Sequence, residues 1–128
     1  MHNDAGQNHA DTDRITRFYA DAWIGGDTHA VRRMIAADAE IEWNLDAPVD
    51  DEEIVQTMNR IAAFADSVTV ISRTCTEDRA AVIYDCAAPF GTARIAEFLT
   101  VAQGRITEIR QVHDPVAIRR YFPGLLEE

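Results

Sequence analysis

The chain is 128 residues long, 47% hydrophobic and 27% charged, with 12 Lys+Arg against 22 Asp+Glu and a formal net charge of -10. That length suits one domain with its own core. The acidic balance argues against nucleic acid and anionic membrane surfaces as partners, because both attract basic patches. No apolar run approaches the ~18 residues of a membrane span. The opening M-H-N-D-A-G-Q-N-H-A has neither a basic nor an apolar segment of the secretory kind, so a cytoplasmic location is expected. Cys75 and Cys86 fall in different predicted strands without metal-ligand spacing and read as reduced, buried thiols.

Residues 1–10 are polar and aperiodic and read as a flexible tail, leaving 11–128 as the domain. From Asp11 the pattern is helical: Ile15, Phe18, Tyr19, Ala22 and Trp23 form one apolar stripe, capped at its start by Asp11 or Thr12. Gly25-Gly26 ends this helix. Asp27 or Thr28 caps a second, with Val31, Met34 and Ile35 on its buried face. Ala39 to Leu45 alternates, with Ile41, Trp43 and Leu45 on one side and Glu40, Glu42 and Asn44 on the other, as in a half-buried strand. Asp46-Ala-Pro48 breaks it. Asp50 with Glu53 begins a third helix, whose apolar face is Ile54, Met58, Ile61 and Ala62. The nearby acidic residues read as helix-start solvation, with no metal implied. Val68 to Thr76 is a further strand.

Arg79 to Asp114 carries the most information. Two turn signals, Pro89-Phe90-Gly91 and Gln103-Gly104, divide it into three β-rich runs, an antiparallel meander. Pro115 ends the last strand, and Val116 to Tyr121 reads as a short terminal helix. Helices first and strands after give an α+β domain with helices on one face of a sheet. The odd residue is Asp85, a carboxylate within I-Y-D-C-A-A. A two-residue loop at Pro89-Phe90 sets Ala88 opposite Gly91 and hence Asp85 opposite Arg94, close enough to pair.

The pieces F-Y-A-D-A-W-I-G-G-D, I-A-A-D-A-E-I-E-W, Y-D-C-A-A-P-F-G-T-A-R-I-A-E-F and G-R-I-T-E-I-R-Q-V-H-D-P, in this order and spacing, resemble the nuclear transport factor 2-like superfamily, in particular its polyketide-cyclase-like (SnoaL-like) branch. The resemblance spans roughly residues 12–122. It implies a cone-shaped, curved antiparallel sheet wrapped by N-terminal helices, a pocket at the open end and a homodimer. It also implies acid/base chemistry without a cofactor, on a small and largely apolar molecule.

With Asp85 taken to face that pocket, Ala81, Ile83 and Ala87 share its side, as do Arg94, Ala96 and Phe98 on the next strand. The resemblance puts Ile109, Gln111 and His113 there too. Compared with steroid isomerases, Tyr19 falls at an oxyanion-hole tyrosine, but the base falls near Trp43 and the second donor near Ala96, and neither can do that chemistry. Compared with epoxide hydrolases, Asp85 matches one aspartate, while Ile83 stands for the arginine and Gln111 for the second aspartate. The cyclase pattern of an aspartate and a histidine is met by Asp85 with His113. The expected catalytic set is Asp85, Arg94 and His113. Tyr19, Trp43, Ile83, Phe98 and Gln111 are expected to bind substrate. The expected activity is that of a cyclase, isomerase, dehydratase or epoxide hydrolase. The alternative is a non-catalytic binding or dimerisation domain in which Asp85–Arg94 is purely structural.

Overall fold

The computed structural model describes residues 4–44, 47–89, 91–114, 116–117 and 120. Helix α1 spans Asp4–Ile24, α2 Thr28–Met34 and α3 Asp51–Phe64. The strands are β1 (Ile35–Trp43), β2 (Ala47–Pro48), β3 (Ser67–Cys75), β4 (Arg79–Ala88), β5 (Gly91–Ala102) and β6 (Arg105–His113). They form one sheet in the order β2-β1-β6-β5-β4-β3. The meander from β3 to β6 is antiparallel throughout, and β1 adds to β6 in parallel. Register shifts interrupt three of the ladders, between Ile35 and Glu40, Val70 and Ser72, and Thr100 and Val101. Such bulges bend and twist a sheet, which lets it curve around the helices.

Local chemistry sets most element ends. The Asp27 side chain accepts from the Ala30 amide at 3.0 Å to start α2, and Asp50 accepts from the Glu53 amide at 2.7 Å to start α3. Gly26 closes α1 at φ +78°, a conformation that glycine adopts without a Cβ penalty. Helix α1 itself begins at Asp4, earlier than the sequence pattern implies. Asp11 and Thr12 are therefore interior helix residues. Asp11 pairs with Arg14, and Thr12 is buried and donates to the Glu77 carbonyl at 2.6 Å, tying α1 to the β3–β4 turn. Ile35, expected in the second helix, opens β1 and is still buried. Pro115 and most of the expected helix 116–121 lie outside the described residues; Val116, Ala117 and Arg120 are helical.

The core fills the space between the helices and the inner face of the sheet. Ile15, Tyr19 and Trp23 of α1 and Ile54, Met58 and Ile61 of α3 meet Val82, Tyr84, Ile95, Leu99, Ile106 and Ile109 of the sheet. Each of those sheet residues is at most 2% exposed. Trp23 and Tyr84 meet edge to face, with ring centroids 4.8 Å apart, a favoured aromatic arrangement.

One expectation is overturned. Ala88 does pair with Gly91 and Asp85 with Arg94, but this row lies on the outer face. Inward on β4 go Ala80, Val82, Tyr84, Cys86 and Ala88; inward on β5 go Ala93, Ile95, Glu97, Leu99 and Val101. Asp85, Arg94, Ile83 and Phe98 all point away from the interior. Strand β5 decides this. Its inner row offers Ile95, Leu99 and Val101 for burial, whereas the other row contains Thr92, Arg94 and Thr100, which would bury far more polar surface.

Candidate functional site

Glu97 rides inward with its aliphatic neighbours on β5 and is completely buried. Strand pairing places Gln111 of β6 directly beside it, and Trp43 of β1 lies beside Gln111 in turn. Helix α1 supplies Tyr19 from above, and β4 supplies Tyr84. The Tyr19 hydroxyl donates to Glu97 Oε2 at 2.9 Å, and Gln111 Nε2 donates to the same oxygen at 3.1 Å. Gln111 also rests its amide against Met58 Sδ at 3.1 Å.

The second carboxyl oxygen is different. Glu97 Oε1 has no hydrogen-bond partner, and neither do the neighbouring Tyr84 Oη and Trp23 Nε1. The Tyr84 hydroxyl lies close enough to influence the carboxyl but stops short of hydrogen-bond geometry. Buried polar atoms without partners are uncommon and costly, so a cluster of three marks a functional candidate.

Burial pushes the Glu97 pKa up, and the donors Gln111 and Tyr19, with the nearby Tyr84 hydroxyl, pull it only part of the way back. The balance favours the neutral acid. Burial first, and the facing carboxyl second, push the Tyr19 and Tyr84 phenols well above their ordinary value. Both therefore remain O–H donors. A carboxyl whose pKa is raised by burial, two phenols that stay protonated and one free carboxyl oxygen together make a site suited to donating a proton or a short hydrogen bond.

Further along the same inner face, His113 follows Gln111 on β6. It stands edge-on to Trp43, with ring centroids 6.1 Å apart. Asn44 pins this corner. Its backbone is left-handed at φ 54°, its amide donates to the Gln111 carbonyl at 2.7 Å, and its Oδ1 accepts from the His113 amide at 2.9 Å. The expectation of Asn44 on the outer face assumed a regular strand, and the left-handed turn redirects it. Burial pulls the His113 pKa down, partly opposed by Asp114, so the neutral imidazole is favoured.

The expected site thus divides. Tyr19, Trp43, Gln111 and His113 lie on the interior face together. Asp85 and Arg94 form a two-point ion pair outside, at 2.7 and 3.0 Å, with the Arg94 side chain 63% exposed. The guanidinium holds the Asp85 carboxyl below its usual range. Phe98, 47% exposed, lines a cavity of about 510 Å³ on the outer face with Thr74, Arg79 and Arg110. Ile83 shares that face, opposite Ala96. Sequence reasoning missed Glu97 and Tyr84. The signal was present: in I-A-E-F-L, Glu97 keeps phase with Ile95 and Leu99.

The model of the SnoaL-like domain family matches residues 15–109. The chain belongs to this family. Its SnoaL-like fold is shared with solved structures. A Kribbella flavida protein has 24% identity and a TM-score of 0.73, over 84% of this chain and 90% of that one. An NTF2-like protein from Mesorhizobium loti has 22% identity and a TM-score of 0.69, over 83% and 93%. A candidate ketosteroid isomerase from Kribbella flavida has 18% identity and a TM-score of 0.66, over 87% and 80%. Among curated proteins, none matches this sequence. These likenesses establish the α+β cone of the NTF2-like superfamily, and the function must be argued from the site.

Proposed function

We propose that this SnoaL-like protein is a cofactor-independent acid/base enzyme for a small, largely apolar molecule, and that Glu97, not Asp85, is its acid. The observation that carries this reading is the buried Glu97 carboxyl, with both its donors on Oε2 and Oε1 unpartnered. A neutral carboxyl in an apolar interior can protonate a leaving hydroxyl or polarise a carbonyl. Tyr19 and Gln111 hold it in one orientation. His113, neutral and on the same face, is the candidate base, and Trp43 the adjoining wall. The sequence contains no lysine, so imine chemistry through a lysine side chain is excluded.

The reaction class is proton relocation, cyclisation, or loss or addition of water. The candidate ketosteroid isomerase among the structural neighbours fits this class. In the sequence comparison with such enzymes, the second oxyanion donor fell near Ala96; the adjacent Glu97 is the acid that stands beside Tyr19. Epoxide hydrolysis loses support, because Asp85, the residue that matched it, faces outward.

The test is turnover over a panel of cyclic ketones, hydroxyketones and epoxides in deuterated and oxygen-labelled water. Deuterium entering carbon, or labelled oxygen entering product, should appear with the wild type and fall by about 10²–10⁴ in Glu97→Gln. Equal turnover by Glu97→Gln would remove Glu97 from the mechanism.

A second reading, a non-catalytic binding or dimerisation domain, draws on the complete burial of Glu97 and Tyr19 among the protein's own side chains. No turnover across the panel, with unchanged ligand binding by Glu97→Gln, would favour it. In either case the outer face is the surface for a second copy. Phe98 and Val112 are exposed there beside Ile83 and Ala96, ringed by Arg and Glu residues able to pair across a two-fold axis. Sedimentation should show a dimer that Phe98→Asp dissociates. The described helices include none long and apolar enough to cross a membrane, and the cytoplasm is the proposed location.

A further inference from the structure

Tyr84 of β4 is fully buried, and its hydroxyl has no hydrogen-bond partner. The sheet sets it beside the acid. Glu97 stands opposite Val82 and Tyr84 opposite Ile95, and all four side chains point inward. Tyr84 is therefore the diagonal neighbour of Glu97, a separation that an aromatic side chain can bridge. On its other side Trp23 of α1 meets the Tyr84 ring, with centroids 4.8 Å apart. Each of these residues holds a buried polar atom without a partner: Trp23 Nε1, Tyr84 Oη and Glu97 Oε1. The phenol feels both neighbours. Burial first, then the Glu97 carboxyl, raise its pKa, and the Trp23 indole N–H pulls it back.

Chemistry fixes the direction of bonding along this row. An indole N–H can only donate. Tyr84 Oη is its acceptor, which leaves the phenol proton for Glu97 Oε1. The demand for that proton depends on the charge of Glu97. Oε2 already accepts from Tyr19 at 2.9 Å and from Gln111 at 3.1 Å. Once the carboxyl gives up its proton, Oε1 shares the negative charge with no donor on it. A bare anionic oxygen in an apolar interior is far more costly than a neutral one. Catalytic hydrogen bonds are commonly long in an unliganded protein and tighten in the reacting complex. The other groups facing Glu97 add no charge. Among the described residues, Tyr19 from α1 and Cys86 from β4 are titratable, and burial above all keeps both protonated, with Cys86 pushed up to about 12. Strand β6 presents the Gln111 amide and α3 the Met58 thioether.

We infer that Tyr84 is a positioning residue for Glu97: its hydroxyl closes on Oε1 when the carboxyl loses its proton, with Trp23 Nε1 donating to the phenol oxygen behind it. The inference rests on the interior site proposed above, in which Glu97 is the acid, but the closing contact can be observed without turnover.

The experiment follows the Glu97 carboxyl by carbon-13 NMR from pH 4 to 9, in protein labelled at the glutamate side-chain carboxyl. The resonance is assigned by its loss in Glu97→Gln. Tyr84→Phe removes a hydroxyl that has no partner while Glu97 is neutral, so the variant should keep wild-type stability at pH 4. Its Glu97 should ionise at higher pH than in the wild type, and Trp23→Phe should move the titration the same way by less. Ile95→Val removes one methylene from the core opposite Tyr84 and leaves every donor in place. It should lower the melting temperature without moving the titration. With a substrate from the panel above, Tyr84→Phe should lower kcat by about 10–10²-fold at unchanged KM. A Glu97 titration identical in the wild type and Tyr84→Phe would overturn the inference, and so would an equal shift in Ile95→Val. A shift confined to Tyr84→Phe and Trp23→Phe, in a protein with no turnover across the panel, would uphold the Tyr84–Glu97 contact and overturn only the catalytic reading.

Discussion

The bond between Tyr19 and Glu97 is the contact on which the interior site depends, and Tyr19→Phe tests it most directly. The substitution deletes one hydroxyl and leaves the ring in a fully buried position. Glu97 Oε2 then keeps only the Gln111 donor at 3.1 Å. Losing a donor to a buried acceptor costs about 1–2 kcal/mol. In a domain of this size that lowers the melting temperature by about 4–10 °C. A pH signature should accompany it. Glu97 has a raised pKa in the folded protein, so folded and unfolded chains are both protonated at low pH and Glu97 contributes nothing there. As pH rises past the ordinary carboxyl value, the unfolded chain releases its proton first, and folding stability falls until the folded pKa is passed. Tyr19 is one of the groups that lower the Glu97 pKa, so Tyr19→Phe should extend this decline to higher pH. Glu97→Gln should remove it, so the variant gains stability relative to the wild type as pH rises past the ordinary carboxyl value. The assay is urea unfolding from pH 4 to 8 on the wild type, both single variants and the double variant. A coupling energy of about 1–2 kcal/mol is expected for residues in one hydrogen-bond network. A coupling below about 0.5 kcal/mol, or a stability difference between Glu97→Gln and the wild type that does not change with pH, would refute the reasoning.

Three further outcomes are expected. Asp85→Asn should leave turnover and ligand binding unchanged, and its small effect on the melting temperature should vanish in high salt, as for any solvent-exposed ion pair. Gly26→Ala should destabilise by about 1–2 kcal/mol in a melting experiment purely through the cost of a left-handed backbone, because a Cβ there meets nothing nearer than Asn59 Oδ1 at 3.9 Å. Thiol labelling at pH 8 should modify Cys75 well before Cys86, which is fully buried and whose pKa burial pushes up to about 12; equal rates would show that the β4 interior opens readily.

The sequence by itself determined the order of elements from α1 to β6 apart from the two-residue β2, which falls where a break was expected, together with two of the helix caps and the pairing of β4 with β5. These are local matters. A carboxylate three residues before an amide nitrogen caps a helix, and a two-residue loop dictates that Asp85 meets Arg94, whatever surrounds them. The family resemblance likewise spoke to the fold. The choice of face was not local. Period-two alternation gives two equivalent rows, and β4 offers burial candidates in both, with Val82 and Tyr84 in one and Ile83 in the other. Only the sum over neighbouring strands and the helices above them favours the row of Ile95, Leu99 and Ile109, because that row buries more apolar area and fewer polar groups. That decision carried Asp85 outward and Glu97 inward. It turned the conspicuous charge into a surface ion pair and the inconspicuous one into the acid of the interior. The meeting of Glu97 with Tyr19, 78 residues apart in sequence, and of Trp43 with His113 across β1 and β6, exists only once the sheet has closed against α1. No spacing along the chain encodes those distances, since packing sets them.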